Sequence, residues 1–322
     1  MTAYKKIEQA GPQTAIWYDV KPGWEQWLFF TSDNHFDSIY CNREKMAADF
    51  EEARRRRARI FIIGDWFDAM QGRFDNRRAP SELRPEYLVE DYYDKVVQDS
   101  AEWLAPYAKN IDVIADGNHE LAVLKYANTN LPGNLVYHLN LQHKTRIQHG
   151  GYGGWIRMLF NMSGGENTGP RASVKIKYFH GSGGEAPVTR GVIQTNRQAI
   201  KLPDADMVIN GHNHQNYVVP ITRERLSNKG VQYFDNQFHV RVPGYKQAFG
   251  DGSAGWEVTR GGDPKPIGSI FVRIRCMSSK NKGPYMHFYP TEELIGPPEP
   301  VSVDAAAVMY DGPVYDDDGE GY

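Results

Sequence analysis

The chain has 322 residues, 40% of them apolar and 12% aromatic, enough to build a sizeable core. No apolar stretch approaches a membrane span, and the start Met1-Thr2-Ala3-Tyr4-Lys5-Lys6 lacks the apolar centre of a secretory signal, so a cytoplasmic protein without membrane contact is expected. Its net charge is −3, but residues 304–322 alone hold six acids and no Lys or Arg, leaving the remainder mildly basic at +3, too little for a nucleic-acid-binding face. Two cysteines, Cys41 and Cys276, allow at most one bridge and read as free thiols.

In chain order, Trp27-Leu28-Phe29-Phe30-Thr31 predicts a strand that ends at Asp33-Asn34-His35. A helix follows over about 43–58, with Met46, Phe50 and Ala53 on one face. Its run Arg54–Arg57, with Arg59, reads as a solvated helix end. Ile60-Phe61-Ile62-Ile63 has no polar interruption, as in a strand covered on both sides, and it ends at Gly64-Asp65-Trp66-Phe67-Asp68. Residues 69–85 lack periodicity and read as a loop. A long helix is predicted over about 86–109, then a strand, Ile111 to Ala115, delivering Gly117-Asn118-His119-Glu120. This strand–helix–strand–helix–strand order predicts a parallel sheet, with motifs at the carboxyl ends where such sheets bind ligands.

The second half reads as mainly strands. They are expected at 156–162, 174–179, 207–210, 215–221, 231–242, 268–276 and 285–289, with a helix over Val192 to Ile200 and a turn-rich loop at Gly164–Pro170. His180-Gly181 follows one strand and Gly211-His212-Asn213-His214 another. Tyr152 and Trp155 read as core or loop residues before a substrate rim. The run His180-Gly181-Ser182-Gly183-Gly184 lacks the strand–turn–helix setting of a nucleophile elbow. Cutting anywhere between 33 and 214 would split the motifs, so one domain over 1–303 is expected, with a disordered acidic tail at 304–322.

Each segment alone is weak; a lone Asp-x-His or His-Gly is common in loops. Together they offer carboxylate, imidazole and amide donors, a mixture suited to divalent ions. Their order and spacing resemble the calcineurin-like metallophosphoesterase superfamily over about residues 27–222. Loosely, Arg241–Tyr245 and Pro264–Ile270 also look like the closing segment of bacteriophage-encoded members.

That resemblance implies an α/β fold, a four-layer α/β/β/α sandwich. It implies two divalent ions, manganese first, with iron, zinc, nickel or cobalt as alternatives. Asp33, His35 and His214 then serve the first ion, Asp65 bridges, and Asn118, His180 and His212 serve the second. His119 assists the leaving oxygen and Asp68 orients it. The implied activity is hydrolysis of a phosphate ester by a metal-activated water. Protein phosphatases of the superfamily place arginines where this chain has Ala69 and Asp116. Their absence shifts the expectation from monoester dianions toward diesters of nucleotides or nucleic-acid ends. Arg73, Arg77 and Arg78 could substitute from the 69–85 loop, or simply be solvated loop charges. A non-catalytic scaffold with this fold is the third reading, disfavoured because no expected ligand is missing. Oligomeric state is open.

Overall fold

The computed structural model describes residues 4–69, 80–162, 171–183, 191–247, 264–279 and 283–291. The described elements, in order, are β1 (Tyr4–Ala10), β2 (Gln13–Asp19), β3 (Glu25–Thr31), α1 (Arg43–Arg55), β4 (Arg59–Ile63), α2 (Tyr92–Leu104), β5 (Ile111–Ala115), α3 (Asn118–Ala127), α4 (Leu131–His143) and β6 (Gln148–His149). Then come β7 (Gly153–Asn161), β8 (Arg171–Phe179), α5 (Val192–Lys201), β9 (Met207–Asn210), β10 (Tyr217–Leu226), β11 (Gln232–Arg241), β12 (Ile270–Ser279) and β13 (Gly283–Thr291).

The strands form two sheets, ordered β13-β12-β3-β4-β5-β6 and β1-β2-β7-β8-β9-β11-β10. In the first, β3, β4 and β5 run parallel, as their unbroken apolar sequences predict. Alternation then sorts their side chains. Phe29, Ile60, Ile62, Ile111 and Ile114 join a core with Phe50 of α1, Val96 of α2 and Leu135 of α4. Leu28, Phe30, Phe61, Ile63 and Val113 turn the other way, into a second core with Ile16, Ile156, Ile176, Ile209 and Val240 of the second sheet. The two sheets therefore pack face to face, with helices on the outer face of the first. On the outer face of the second, Gln237 donates to the carbonyls of Leu202 and Ala205, just beyond α5. The chain is a mixed α/β protein with two sheets and helices, as expected.

The element bounds differ from expectation where backbone chemistry intervenes. Helix α1 stops at Arg55 because Arg57 turns left-handed (φ 52°), and the Ala58 amide reaches back to Ala53 O at 2.8 Å. The long helix expected over 86–109 divides into a 3-10 turn at Pro85–Tyr87, α2, and a 3-10 stretch at Ala105–Asn110. Pro106 has no amide to continue the α ladder. The hairpin β1–β2 and helices α3 and α4 were not predicted. Arg54 pairs with Glu51, and Arg55 and Arg56 pair with Glu52, as suits a solvated helix end. Cys41 and Cys276 are free and buried. No described helix is long and apolar enough to cross a membrane. The tail at 304–322, the Gly164–Pro170 loop, and Arg73, Arg77 and Arg78 lie outside the described residues.

Candidate metal centre

The candidate donors converge at the carboxyl ends of β3, β4, β5, β8 and β9. Three overlapping trios have donor atoms mutually within 4.8 Å: Asp33, His35 and His214; Asp65, His180 and His212; and His35, Asp65 and His119. Asn118 lies between His180 and His212, its Oδ1 3.2 Å from His180 Nε2 and 2.8 Å from His212 Nδ1. His180 Nε2 is 3.0 Å from Asp65 Oδ2 and 3.9 Å from Asp33 Oδ1, so the two halves of the site touch. All seven expected ligands are thus brought together.

Local backbone explains the crowding. Asp33, His35, Asp65, His212 and His214 all adopt left-handed conformations, with φ between 46° and 73°. Asp and His visit this region more readily than most residues, and such strain concentrates at functional sites. Gly117 lies so close to Asp65 that an added Cβ would stand 1.9 Å from its Oδ1.

A supporting layer fixes the donors. Glu120, buried, accepts the amides of Asp65 (3.1 Å), Phe67 (3.0 Å) and Gly117 (2.7 Å), tying two motifs together. Asp37, also buried, accepts the amides of Asp68 (2.6 Å) and Ala69 (3.0 Å) and the Tyr92 hydroxyl. The His180 Nδ1 edge meets Ile63 O at 3.1 Å, directing Nε2 toward the carboxylates. The His212 amide donates to Asp33 Oδ2 at 2.8 Å. Tyr152 packs its ring on His180 and donates to Gly181 O.

Asp68 differs in detail from expectation. Its carboxylate lies 2.8 Å from His35 Nδ1 and 3.3 Å from Lys246 Nζ, but 3.7 Å from His119 Nδ1. What holds His119 is the main-chain carbonyl of Asp68, 2.5 Å from Nδ1. That contact places the proton on Nδ1 and leaves Nε2 facing Asp65 Oδ2 at 3.8 Å.

Sequence reading missed Lys246, which also contacts Glu82 at 3.3 Å, and it gave Asp37 and Glu120 no role. Only Glu120 left a signal, standing within the third motif. Asp116, where a phosphatase arginine would stand, instead meets His149 Nε2 at 2.6 Å.

The electrostatics suit cations. Burial pushes the Asp65 carboxyl up, but His180 and His119 outweigh it and hold it well below the ordinary range. Asp33 behaves alike, with His214 and His180 overcoming burial. Burial brings His35 down to about 4 and lowers His212, so both are neutral donors at pH 7. His180 goes the other way: burial opposes its charge, yet Asp65 and Asp33 push it up to about 10. A proton on His180 is thus the protein's own counter-ion for two buried carboxylates. His35 Nε2 is buried without a hydrogen-bond partner, and Asp33 Oδ1 faces His214 Nε2 at 3.3 Å. An orphaned acceptor beside buried carboxylates fits a bound divalent ion.

The family model described as calcineurin-like phosphoesterase matches residues 27–216. No curated protein matches the chain significantly. Solved structures similar to it include a predicted phosphoesterase from Streptococcus pneumoniae, at 12% identity, covering 83% of this chain and 99% of that one, with a TM-score of 0.27. Zinc-complexed Vps29 of Entamoeba histolytica is 8% identical, with coverages of 82% and 99% and a TM-score of 0.30. GAP50 of Plasmodium is 13% identical, with coverages of 84% and 90% and a TM-score of 0.32.

Proposed function

We propose, for a chain that belongs to the calcineurin-like phosphoesterase family, that it is a metal-dependent phosphodiesterase acting on nucleotides or nucleic-acid ends. The observation that carries this is the convergence of Asp33, His35, Asp65, Asn118, His180, His212 and His214 from five turns onto one centre. Asp33, His35 and His214 would hold one ion, Asn118, His180 and His212 a second, and Asp65 both. Manganese is the first candidate. Two bound ions would supply charge stabilisation for a phosphoryl group and acidify a water.

The chain's own residues supply the rest. His119, with its Nδ1 proton held by Asp68 O, presents Nε2 to the centre, where it can donate a proton to a leaving oxygen once charged. Asp68 keeps His35 oriented through Nδ1. Glu120 and Asp37 hold the Asp65–Ala69 backbone rigid, so donors need no rearrangement during reaction.

Diester preference rests on Asp116 and Ala69. A carboxylate and a methyl occupy positions from which arginines would neutralise a dianion. Monoester hydrolysis is the second reading, and Lys246, a cation beside Asp68 and His35, favours it. The deciding experiment compares matched aryl phosphate mono- and diesters, cyclic nucleotides and DNA with several metals. Faster turnover of the monoester than of its matched diester would overturn the preference. No metal-dependent turnover of any member would leave the scaffold reading.

A further inference from the structure

The turns at Gly181 and Asn213, next to His180 and His212, line a cavity of about 250 Å³. It lies between the ends of β8, β9 and β11 and the first turn of α5. Its charged lining, among the described residues, consists of Arg241 and Arg197, with no Asp or Glu. Arg241 is only 4% exposed. Its Nη1 donates to Gly211 O at 2.9 Å, and its Nε reaches Tyr217 Oη at 3.4 Å. Those bonds use two of a guanidinium's five donors, and no carboxylate among the described residues pairs with it. A buried cation without a counter-charge is costly unless an anion reaches it.

Helix α5 adds a second cationic element. Its N-cap is Gly191, which has no side chain to cap it. The first intrahelical bonds run from Gln194 N and Thr195 N to Gly191 O, so the amides before them lack acceptors within the helix. Those amides and the helix dipole favour an anion. A Cβ on Gly191 would stand 3.3 Å from Arg241 Nη2 and 3.4 Å from Tyr217 Oη. Glycine there keeps the guanidinium accessible. Ser182, Gln194 and Asn213 add neutral donors to the lining.

We infer that this cavity binds a second phosphate group of the substrate, adjacent to the one being hydrolysed. The inference rests on the phosphodiesterase reading and narrows it. The preferred substrate is a diester bearing a neighbouring phosphate, as in an oligonucleotide, over a diester carrying a single charge. Arg241 also fixes the carbonyl of Gly211, directly before His212, so substrate anion and candidate metal ligand share one support.

Two measurements test this. The first compares thymidine 5′-(4-nitrophenyl phosphate) with its 3′-phosphorylated counterpart. Wild type should favour the latter by at least about tenfold in kcat/KM, the worth of one charge-assisted contact. R241K and R197Q should each shrink that ratio toward one. Arg197 is exposed on α5, so its variant keeps the Gly211 support. A wild-type ratio of one, or ratios unchanged in both variants, would overturn the inference. The second locates tungstate by anomalous diffraction in soaked crystals of wild type, D65N and R241Q. Density against Arg241 and α5 should occur in wild type and D65N and vanish in R241Q. Tungstate confined to the metal centre would refute the cavity as an anion site. A cavity peak alongside a kinetic ratio of one would assign the cavity to free phosphate and overturn the substrate subsite. A cavity peak with neither ester hydrolysed would refute the diesterase reading instead.

Discussion

Replacing Gly117 with alanine should disable the centre through one methyl group. The backbone there (φ −111°, ψ −172°) is open to any residue, so the perturbation is purely steric. The new Cβ would lie 1.9 Å from Asp65 Oδ1, 2.4 Å from Asp65 N and 2.6 Å from Asp65 Cγ. Ordinary contact begins at 3.4 Å, so the carboxylate must retreat by about 1.5 Å. Neither side can yield cheaply. Glu120 pins both the Asp65 and Gly117 amides, and Asp65 Oδ1 already accepts the His119 amide at 3.0 Å. Metal–ligand distances tolerate only ~0.2 Å of error. Metal affinity should therefore fall at least ~10–100-fold, as when a ligand's support is lost. Turnover at saturating metal should fall ~10²-fold or more, since a 1 Å misplacement near the chemistry has that effect. Overpacking against the Asp65 backbone costs ~1–3 kcal/mol or more, and melting of the metal-free variant reads that cost separately from metal loss. Elemental analysis after dialysis, steady-state kinetics across metal concentrations, and melting in chelator separate these effects. A G117A protein that folds, retains two ions per chain and turns over like wild type would refute the argument, and with it the role of Asp65 in both sites.

Asp65→Asn should be the most damaging ligand change, because one lost charge weakens both ions; wild-type turnover at equal metal occupancy would show that Asp65 is not shared. His119→Asn should reduce hydrolysis of an alkyl or nucleotide ester by ~10²–10⁴-fold but affect an activated aryl ester far less, and equal losses would mean that His119 acts by position or charge alone. Metal uptake at pH 8 should release a proton from His180, whose value in the metal-free protein is pushed up to about 10; an indicator dye should register less release in His180→Gln. The same group sets a stability slope. Its folded value lies above the ordinary 6.5, so its contribution is complete below about pH 6.5 and lost as pH rises toward 10. Metal-free wild type should accordingly lose more melting temperature between pH 7 and pH 10 than His180→Gln does, and parallel curves would exclude His180 as the counter-ion.

How legible the protein was depended on sequence distance. Motifs at strand ends, such as Gly64-Asp65 after Ile60–Ile63, combine a buried apolar run with a polar turn, and both are local signals. The strand pattern therefore located the donors. Hairpin β1–β2 was missed although Thr14-Ala15-Ile16-Trp17-Tyr18 is a β-prone run after Gly11-Pro12; β2 pairs locally with β1 as well as with β7. The roles of Asp37, Lys246 and Arg241 were hidden because each depends on contacts made only in the fold. Each acts on a motif it reaches only through the fold: Asp37 on Asp68, Lys246 on Asp68 and Arg241 on Gly211. The part played by Asp68 was half legible. A sequence names the residue, but not whether its carboxylate or its carbonyl makes the contact.

The strand order also bears on how the chain is made. Strand β3 pairs on one side with β4, its immediate successor, but on the other with β12, so Phe30 waits for Ile270. Strand β2 must likewise wait for β7. As the polypeptide leaves the ribosome, Asp33 and His35 emerge long before His212 and His214, and the sheet edge beside them stays open. Edges left open in this way invite pairing with other chains, and pairings of large sequence separation form slowly. The full set of candidate donors would thus exist only after residues 212–214 had emerged. A nascent chain stalled before β12 would expose the apolar edge of β3, and chaperone occupancy should peak there.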